Sequence, residues 1–432
     1  MTLAEVRGAR WLRQFLAKVP FWYIVAVPSL LFLTNIGEKA YQDAFFIVLL
    51  GYAVVKGGAD WSRPVLVIWV AWLAYLFWST LTDSLGEGAL VLDPLRTGLL
   101  MLLLPWLVGW ARADNFSVPL RMGFRLALIV ATAVALIQVL MLGHGRAAGS
   151  ENALVFATLV AMYGLFVVHE GCVRGRGWPL LWMFLALIPV ALSGSRAVLM
   201  ALLMIFLVML FYYRHAVNWR VLMLGGIGAV LFLSLVAGPQ LSSRVTQAFE
   251  SAPSSKEEWR TFRDEFLGMG FVNEETTSNG PQAENATVLK DRYATSMGFR
   301  VVYWRTGWEV FLAHPVTGVG STQEMLKIGG VLGMGAYFDD RHGHVHNMFL
   351  QHLVTGGVPK MLLLLAVLAL PLVLLGAGAG REIILFMTAA LMLFGMTNIV
   401  LELTVVTFIY TLVLAHLLAS RPDARSRGAS SA

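Results

Sequence analysis

Four side chains in this sequence have the types and positions needed to bind an anion and move a proton: Arg146, Arg196, Arg300 and His346. Arg196 lies between two apolar runs, in the stretch Leu-Ser-Gly-Ser-Arg-Ala. An arginine next to hydrocarbon costs about 2–3 kcal/mol unless it reaches the interface or a polar cavity. Arg196 is therefore either an interfacial side chain that orients helices or a fixed cation. A cation of this type suits phosphate, because the planar guanidinium donates two parallel charged hydrogen bonds.

Arg300 opens a predicted amphipathic helix, with Trp304 and Trp308 four and eight residues later. The tryptophans fit core or interfacial packing better than a sugar platform, and a lone arginine here can also be a solvated terminal charge. Arg305 competes with Arg300 for a functional role. Arg146 lies in a short loop, where a plain loop charge is the favoured interpretation and a phosphate contact is the alternative.

His346 ends the stretch Asp339-Asp-Arg-His-Gly-His-Val-His-Asn347, directly before an apolar run. Histidine and carboxylate are common metal ligands, but no second ligand cluster is apparent, and the alternation of His342, His344 and His346 suits a strand. A general base is the alternative, since an unperturbed histidine titrates near pH 6.5. Ordinary interfacial histidines remain a third interpretation, and we interpret His314 and His352 as structural.

Cations together with a base favour one reaction class. A lipid-linked pyrophosphate is a good leaving group when its developing charge is neutralised, and Mg²⁺ or arginines can do this. This sequence offers arginines and no carboxylate motif typical of a metal site. It therefore predicts a reaction in which arginines hold the diphosphate while a hydroxyl is activated nearby, without a metal.

The elements that position these residues are predicted to be membrane helices. Of the 432 residues, 58% are hydrophobic and 13% are charged, whereas soluble domains carry roughly 25% charged residues. A soluble protein is thereby excluded, and the single cysteine, Cys172, excludes an intramolecular disulfide. Runs of a length that crosses a bilayer predict an all-α polytopic protein of about twelve transmembrane helices. The runs are 20–36, 44–56, 65–82, 97–111, 126–143, 153–169, 178–193, 197–213, 221–238, 358–377, 382–397 and 400–418.

The distribution of Lys and Arg predicts the orientation. With a cytoplasmic N-terminus, the inside segments hold seventeen basic residues and the short outside loops hold four. The predicted organisation is a cytoplasmic amphipathic segment (1–19), nine transmembrane helices (20–238), a periplasmic segment (239–345), an edge helix with three further transmembrane helices (346–419), and a cytoplasmic tail (420–432). Within the periplasmic segment, helices are predicted at 243–251, 256–266 and 299–313, with a polar loop at 273–285.

Three motifs resemble the O-antigen ligase (WaaL) family, within the superfamily that includes O-antigen polymerases and bacterial O-linked oligosaccharyltransferases. The first is Ser193-Gly-Ser-Arg196, at the start of a transmembrane helix. The second is Arg300-Val-Val-Tyr-Trp304 followed by His314-Pro-Val-Thr-Gly-Val-Gly320, with Val316 where the family has leucine. The third is His346-Asn-Met-Phe-Leu followed by Gly356-Gly357.

The resemblance implies a helical, membrane-embedded glycosyltransferase of the GT-C type in the bacterial inner membrane. The donor would be O-antigen polysaccharide on undecaprenyl diphosphate, and the acceptor a sugar hydroxyl of lipid A–core, both reached from the periplasm. Transfer would invert the anomeric centre with no metal and no other cofactor. Arg196 and Arg300 would bind the diphosphate, with Arg146 as a further contact, and His346 would orient or deprotonate the acceptor.

Two kinds of alternative remain open. Within the superfamily, the ligase is the favoured interpretation, an O-antigen polymerase is the nearest rival, and a protein-glycosylating oligosaccharyltransferase is the next. Outside it, the rival is a transporter or flippase of lipid-linked sugars. Transporters place charges near the bilayer midplane and show internal repeats. Here Glu402 is the main charge within an apolar run, and no repeat is apparent.

Overall fold

The computed structural model describes residues 58–92, 101–114, 116–149, 152–174, 179–215, 296–331 and 344–421, together with residues 28 and 98. Its regular structure in these ranges is entirely helical. The helices are α1 (Arg63–Glu87), α2 (Leu104–Asp114), α3 (Ser117–Leu136, continued by a π-helical turn, Ile137–Met141), α4 (Ala153–Arg174), α5 (Pro179–Leu192), α6 (Arg196–Tyr212), α7 (Ser296–Ala313), α8 (Glu324–Val331), α9 (Met348–Leu374), α10 (Ala379–Gly395) and α11 (Thr404–Ala419).

The predicted all-helical class is confirmed for this part of the chain, and the total of twelve transmembrane helices stays a prediction. Four helices are long and apolar enough to cross a membrane: α1, α3 with its π-helical turn, α4 and α9. Three shorter helices, α5, α6 and α11, are also apolar. The predicted runs 20–36, 44–56 and 221–238 lie outside the described residues, as do the predicted helices 243–251 and 256–266 and the loop 273–285.

Two boundaries differ from the prediction. α3 begins at Ser117, well before residue 126, because Arg121 and Arg125 interrupt the apolar pattern of its first turns. α9 has a break at Gly357, so it joins the predicted edge helix, from residue 346, to the predicted run at 358–377. α11 begins at Thr404, so Glu402 precedes the helix and does not lie within it. This removes the main charge that the sequence placed inside a membrane run.

The bundle is built around α4. Nearly every side chain of this helix is buried, and α3, α5, α6, α10 and α11 surround it. α9 lies along α1 and also contacts α7 and α10. A second, smaller apolar core joins α7, α8 and the start of α9, with Tyr303, Ile328 and Val354 at its centre. The second core attaches the segment before α9 to the end of the bundle.

The motifs lie at one end of the bundle, which we call the site end. The amide of Ala147 donates to the carbonyl of Leu192 over 2.9 Å, so the loop before α4 lies next to the turn before α6. At the opposite end, the Tyr212 hydroxyl donates to Glu382 and joins the end of α6 to the start of α10. α10 then returns to the site end, where Gly395 packs against the start of α9.

A break in α9 receives the loop that follows α7. Pro359 has no N–H, which frees the carbonyl of Thr355, and the amide of Gly320 donates to it over 2.9 Å. The amides of Val319 and Val358 complete the junction by donating to Val354 and Pro315. A helix broken at membrane depth needs such substitute partners, because lipid supplies none.

Two glycines allow this close approach. Gly357 has a φ of 68°, and a Cβ there would lie 2.2 Å from the carbonyl oxygen of Val316. Gly318 has a φ of 64°, and its Cβ would lie 2.4 Å from the amide nitrogen of Gly356. Any larger side chain at either position would force the two backbones apart. This explains why glycines are needed in the second and third motifs.

Candidate functional site

His346 has an unusual backbone. Its φ is 53°, the one positive value among the described non-glycine residues. The left-handed region costs an L-residue roughly 1–2 kcal/mol, so the neighbouring structure must hold it there. Observed strain of this kind is a reason to look for function at the residue.

Two side chains hold the backbone of Val345, which precedes His346, at its N–H and its C=O groups. The amide of Val345 donates to Gln351 Oε1 over 3.2 Å, and the carbonyl of Val345 accepts from Trp304 Nε1 over 3.1 Å. Gln351 in turn donates through Nε2 to the carboxyl group of Glu324. We call Trp304, Gln351 and Glu324 the backbone clamp. Trp304 lies one turn after Arg300, so the second motif contributes directly to the position of the third.

On the other side of His346, Asn347 begins α9. Its side-chain oxygen accepts from the amides of Phe349 and Leu350 over 3.0 and 3.1 Å, which is the usual N-cap arrangement. The His-Asn pair therefore combines two roles: the asparagine fixes the start of the helix, and the histidine occupies the strained position before it.

The His346 ring lies between two other rings. It is nearly parallel to Tyr303, with ring centroids 6.3 Å apart, and its centroid is 4.1 Å from that of His344. The His346 amide also donates to His344 Nδ1 over 3.2 Å. Burial, and then the positive charge of Arg300, lower the pKa of His344 to about 4. His344 is therefore neutral at pH 7 and can accept this hydrogen bond.

The effect of Arg300 on the pKa of His344 also indicates that Arg300 is near the histidine pair. The Arg300 side chain is half-buried and lies close enough to act electrostatically on His344, whose ring touches that of His346. Burial lowers the pKa of Arg300, but an arginine stays protonated at any ordinary pH. A fixed cation on α7 thus lies near the histidine pair that precedes α9.

Arg196 and Arg146 lie on adjoining turns at the site end. Arg196 is half-buried at the start of α6, after a turn in which Gly194 has a φ of 69°. Arg146 is exposed. Its loop is fixed by Gln138, which accepts from the amides of residues 148 and 149 over 2.9 and 3.0 Å. The 2.9 Å contact from Ala147 to the turn before α6 keeps the two loops together.

Within the described residues, no group of three or more His, Cys, Asp or Glu side chains could hold a metal ion. The predicted metal site in the histidine stretch included Asp339, Asp340 and His342, which lie outside those residues.

Two other histidines were interpreted as structural. His314 is exposed at the end of α7, whereas His352 is buried and shares a 2.7 Å hydrogen bond with Tyr75.

The end of α1 anchors the segment after α7. Asp83 is buried, and its carboxylate accepts from both the amide and the hydroxyl of Ser321, each over 2.6 Å. The carbonyl of Gly356, at the break in α9, accepts from Trp78 Nε1 over 2.8 Å. α1 therefore supports both the loop and the helix that position His346.

Comparison with known families adds to this geometry. Residues 181–365 match the family model described as O-antigen ligase. The predicted resemblance is thereby confirmed, and it supports a place for the chain in the O-antigen ligase/polymerase superfamily. The matched range contains Arg196, Arg300 and His346, while Arg146 lies outside it. A search of the curated proteins finds no match.

The ligase match supports an enzyme of the glycosyltransferase kind in a membrane setting, acting on lipid-linked polysaccharide. The matched range also contains all three residues of the backbone clamp, which the sequence analysis did not identify. Gln351 carried the clearest signal, since an amide in an otherwise apolar helix needs a partner. Glu324 gave little signal, because nothing in the sequence around it indicates that it is buried. In the structure, burial and then the charge of Glu402 raise the pKa of Glu324 well above the usual range.

Gln351→Leu is expected to destabilise the protein by about 1–3 kcal/mol, because it leaves a buried amide and a buried carboxyl without their partner. The apparent melting temperature in detergent should fall by several degrees. Gln323→Leu is the matched control, since Gln323 makes only an exposed 3.3 Å contact with Glu87. Equal melting temperatures for the two variants would show that the clamp contributes nothing.

Proposed function

We propose that this protein is an O-antigen ligase, which transfers O-antigen polysaccharide from undecaprenyl diphosphate to a sugar hydroxyl of lipid A–core. The observation that carries the proposal is the strained, clamped His346 in ring contact with His344, with the charge of Arg300 acting on His344. A cation for the leaving group and a base for the nucleophile are the two functions that such a transfer requires. The match to the ligase family supports the same reaction class.

In the proposed step, the acceptor hydroxyl oxygen attacks the anomeric carbon and the bond from that carbon to the diphosphate oxygen breaks. His346 accepts the hydroxyl proton, or orients the hydroxyl while the proton passes to solvent. The electron pair leaves with undecaprenyl diphosphate. Attack from the face opposite to the leaving group inverts the anomeric centre.

The arginines serve the leaving group. Arg300 faces it from α7, and Arg196 faces it from the start of α6, with Arg146 on the adjoining loop as a further diphosphate contact. Guanidinium groups that the fold already holds in position stabilise the developing negative charge without having to move. Preorganised groups of this kind make the largest electrostatic contribution to catalysis in many enzymes. The step then needs no metal and no other cofactor.

The proposed setting is the bacterial inner membrane, with the site end in the periplasm and both termini in the cytoplasm. Arg112, Arg174, Arg214 and Arg381 lie at the opposite end of the bundle. An excess of arginine is typical of the cytoplasmic side, which supports this orientation. Both lipid-linked substrates would reach the site from the outer leaflet.

The test is a transfer assay with purified protein, undecaprenyl-diphosphate-linked O-antigen and lipid A–core in detergent containing EDTA. A lipopolysaccharide ladder on a gel is expected, with a rate that EDTA does not change. Strong inhibition by EDTA that Mg²⁺ reverses would overturn the metal-independent mechanism.

The products also separate the rival functions. Longer lipid-linked glycans without a ladder would identify an O-antigen polymerase, and glycosylated protein would identify an oligosaccharyltransferase. Movement of the lipid-linked glycan across sealed vesicles, with neither product, would identify a transporter. Each of these outcomes contradicts the ligase.

A further inference from the structure

At the end of the bundle opposite the site, two arginines contact one glutamate and a third lies near them. Glu170, near the end of α4, lies 2.8 Å from Arg174 Nε and 3.6 Å from Arg121 Nη1. Arg121 lies close enough to Arg125 and Arg174 for their positive charges to repel its own. We call these four residues the arginine cluster. Within the described part of the chain, one carboxylate faces three guanidinium groups, which leaves the cluster an excess of about two positive charges.

Arg125 carries the sharpest sign of an incomplete site. Its guanidinium lies over the ring of Trp182, with 5.3 Å from Cζ to the centroid. Its Nε is buried and has no hydrogen-bond partner among the described residues. A buried charged donor without a partner is costly, which makes an anionic ligand favourable at this point.

The neighbouring side chains leave the guanidinium groups of Arg121 and Arg174 able to contact a ligand. Arg121 Nε donates to the carbonyl of Ser117 over 2.8 Å, which fixes the side chain along α3 while its Nη atoms face Glu170. The Arg174 side chain is 46% exposed, whereas those of Arg121 and Glu170 are 20% and 18% exposed. The cluster is therefore partly enclosed by protein and open on the Arg174 side.

The position of the cluster indicates the kind of ligand. Arg121 and Arg125 lie in the first turns of α3, Arg174 is the last residue of α4, and both helices are candidate membrane spans. If α3 and α4 cross the membrane, the cluster is expected near the lipid headgroups, at the ends of the two spans. Basic pockets between helices at that depth suit phosphate-bearing headgroups.

We propose that the arginine cluster binds the phosphate group of an anionic phospholipid in the leaflet at this end of the bundle. The headgroup phosphate would pair with Arg125 and Arg174, and the acyl chains would lie along α3 and α5 beside Trp182. This site is separate from the transfer site and does not depend on the transfer activity.

Arg112 and Asp60 form an ion pair at the same end of the bundle. Arg112 Nη1 lies 2.8 Å from Asp60 Oδ2, with one carboxylate for one cation. Arg214 is a second useful comparison, since it is exposed, lies over the ring of Phe211 and stands apart from the cluster. The excess charge is a property of the cluster and not of every arginine at this end.

The experiment is native mass spectrometry of the full chain in detergent, titrated with phosphatidylglycerol or with phosphatidylcholine. Wild-type protein should retain phosphatidylglycerol in clear preference. Arg125→Gln and Arg174→Gln should each weaken phosphatidylglycerol binding by about fivefold at 25 °C, since a basic residue near a charged lipid contributes about 1 kcal/mol. Arg214→Gln is the matched control and should leave binding unchanged.

Glu170→Gln separates a binding site from a structural salt bridge. Removal of the competing carboxylate should tighten phosphatidylglycerol binding several-fold, whereas a purely structural role would only destabilise the protein. Equal retention of the two lipids by wild-type protein would overturn the proposal. Displacement of phosphatidylglycerol by millimolar inorganic phosphate would identify free phosphate, and not a lipid, as the ligand.

Discussion

Replacement of His346 by alanine is expected to lower the transfer rate by about 10²–10⁴-fold, the usual contribution of a positioned general base. The ring is held in place by its left-handed backbone and by its contacts with Tyr303 and His344, so no neighbour can substitute for it. The measurement is the initial rate of ladder formation with purified protein at saturating donor.

His314→Ala is the matched control, since His314 is exposed at the end of α7 in the same part of the chain. Its rate should stay within about twofold of wild type, which is the scatter expected for a surface change of about 0.5 kcal/mol or less. A wild-type rate for His346→Ala would remove this histidine from the mechanism.

A second variant distinguishes the two roles proposed for His346. Glutamine can orient a hydroxyl through a hydrogen bond but cannot take up its proton. Partial rescue by His346→Gln, with a rate that no longer falls at acid pH, would assign the residue to positioning. No rescue by His346→Gln, together with a wild-type rate that falls at acid pH, would assign it to proton transfer.

Replacement of Arg300 by glutamine should lower kcat by about 10²–10³-fold, the effect of removing one group that stabilises developing negative charge. Arg300 is half-buried and its charge acts on His344, so solvent screens it less than a fully exposed charge. The loss should appear mainly in kcat, because the interaction strengthens as the diphosphate leaves.

Arg305→Gln provides the matched control on the same helix. The Arg305 side chain is 42% exposed and forms an ion pair of 3.7 Å with Glu309, one turn along. Exposed pairs of this kind contribute about 0–1 kcal/mol, so transfer should be nearly unchanged. Equal loss in both variants would mean that the charge of α7 as a whole matters, and not a specific contact from Arg300.

The candidate site was found from the sequence because its residues lie in short motifs. In the structure Arg300 acts electrostatically on His344, the ring neighbour of His346, and Arg196 lies at the same end of the bundle, while the roles of these residues stay predictions. The backbone clamp was missed because its three members are separated along the chain and none of them forms a motif with His346. Gln351 reaches Glu324 across 27 positions of sequence.

The membrane character of the chain follows from the sequence by itself, since apolar runs long enough to cross a bilayer have few other stable environments. The predicted helix at 299–313 is also local: it ends at His314-Pro315, as observed. In these cases, the residues that decide the structure are close to one another along the chain.

Only the tertiary structure decided how the motifs meet. The junction between the loop after α7 and the break in α9 depends on carbonyls that Pro359 frees and on glycines whose missing side chains let two backbones touch. The anchor from Ser321 to Asp83 joins residues 238 positions apart. Hydropathy and local propensity do not specify such partners, because any buried donor can be satisfied by many acceptors until the helices have packed.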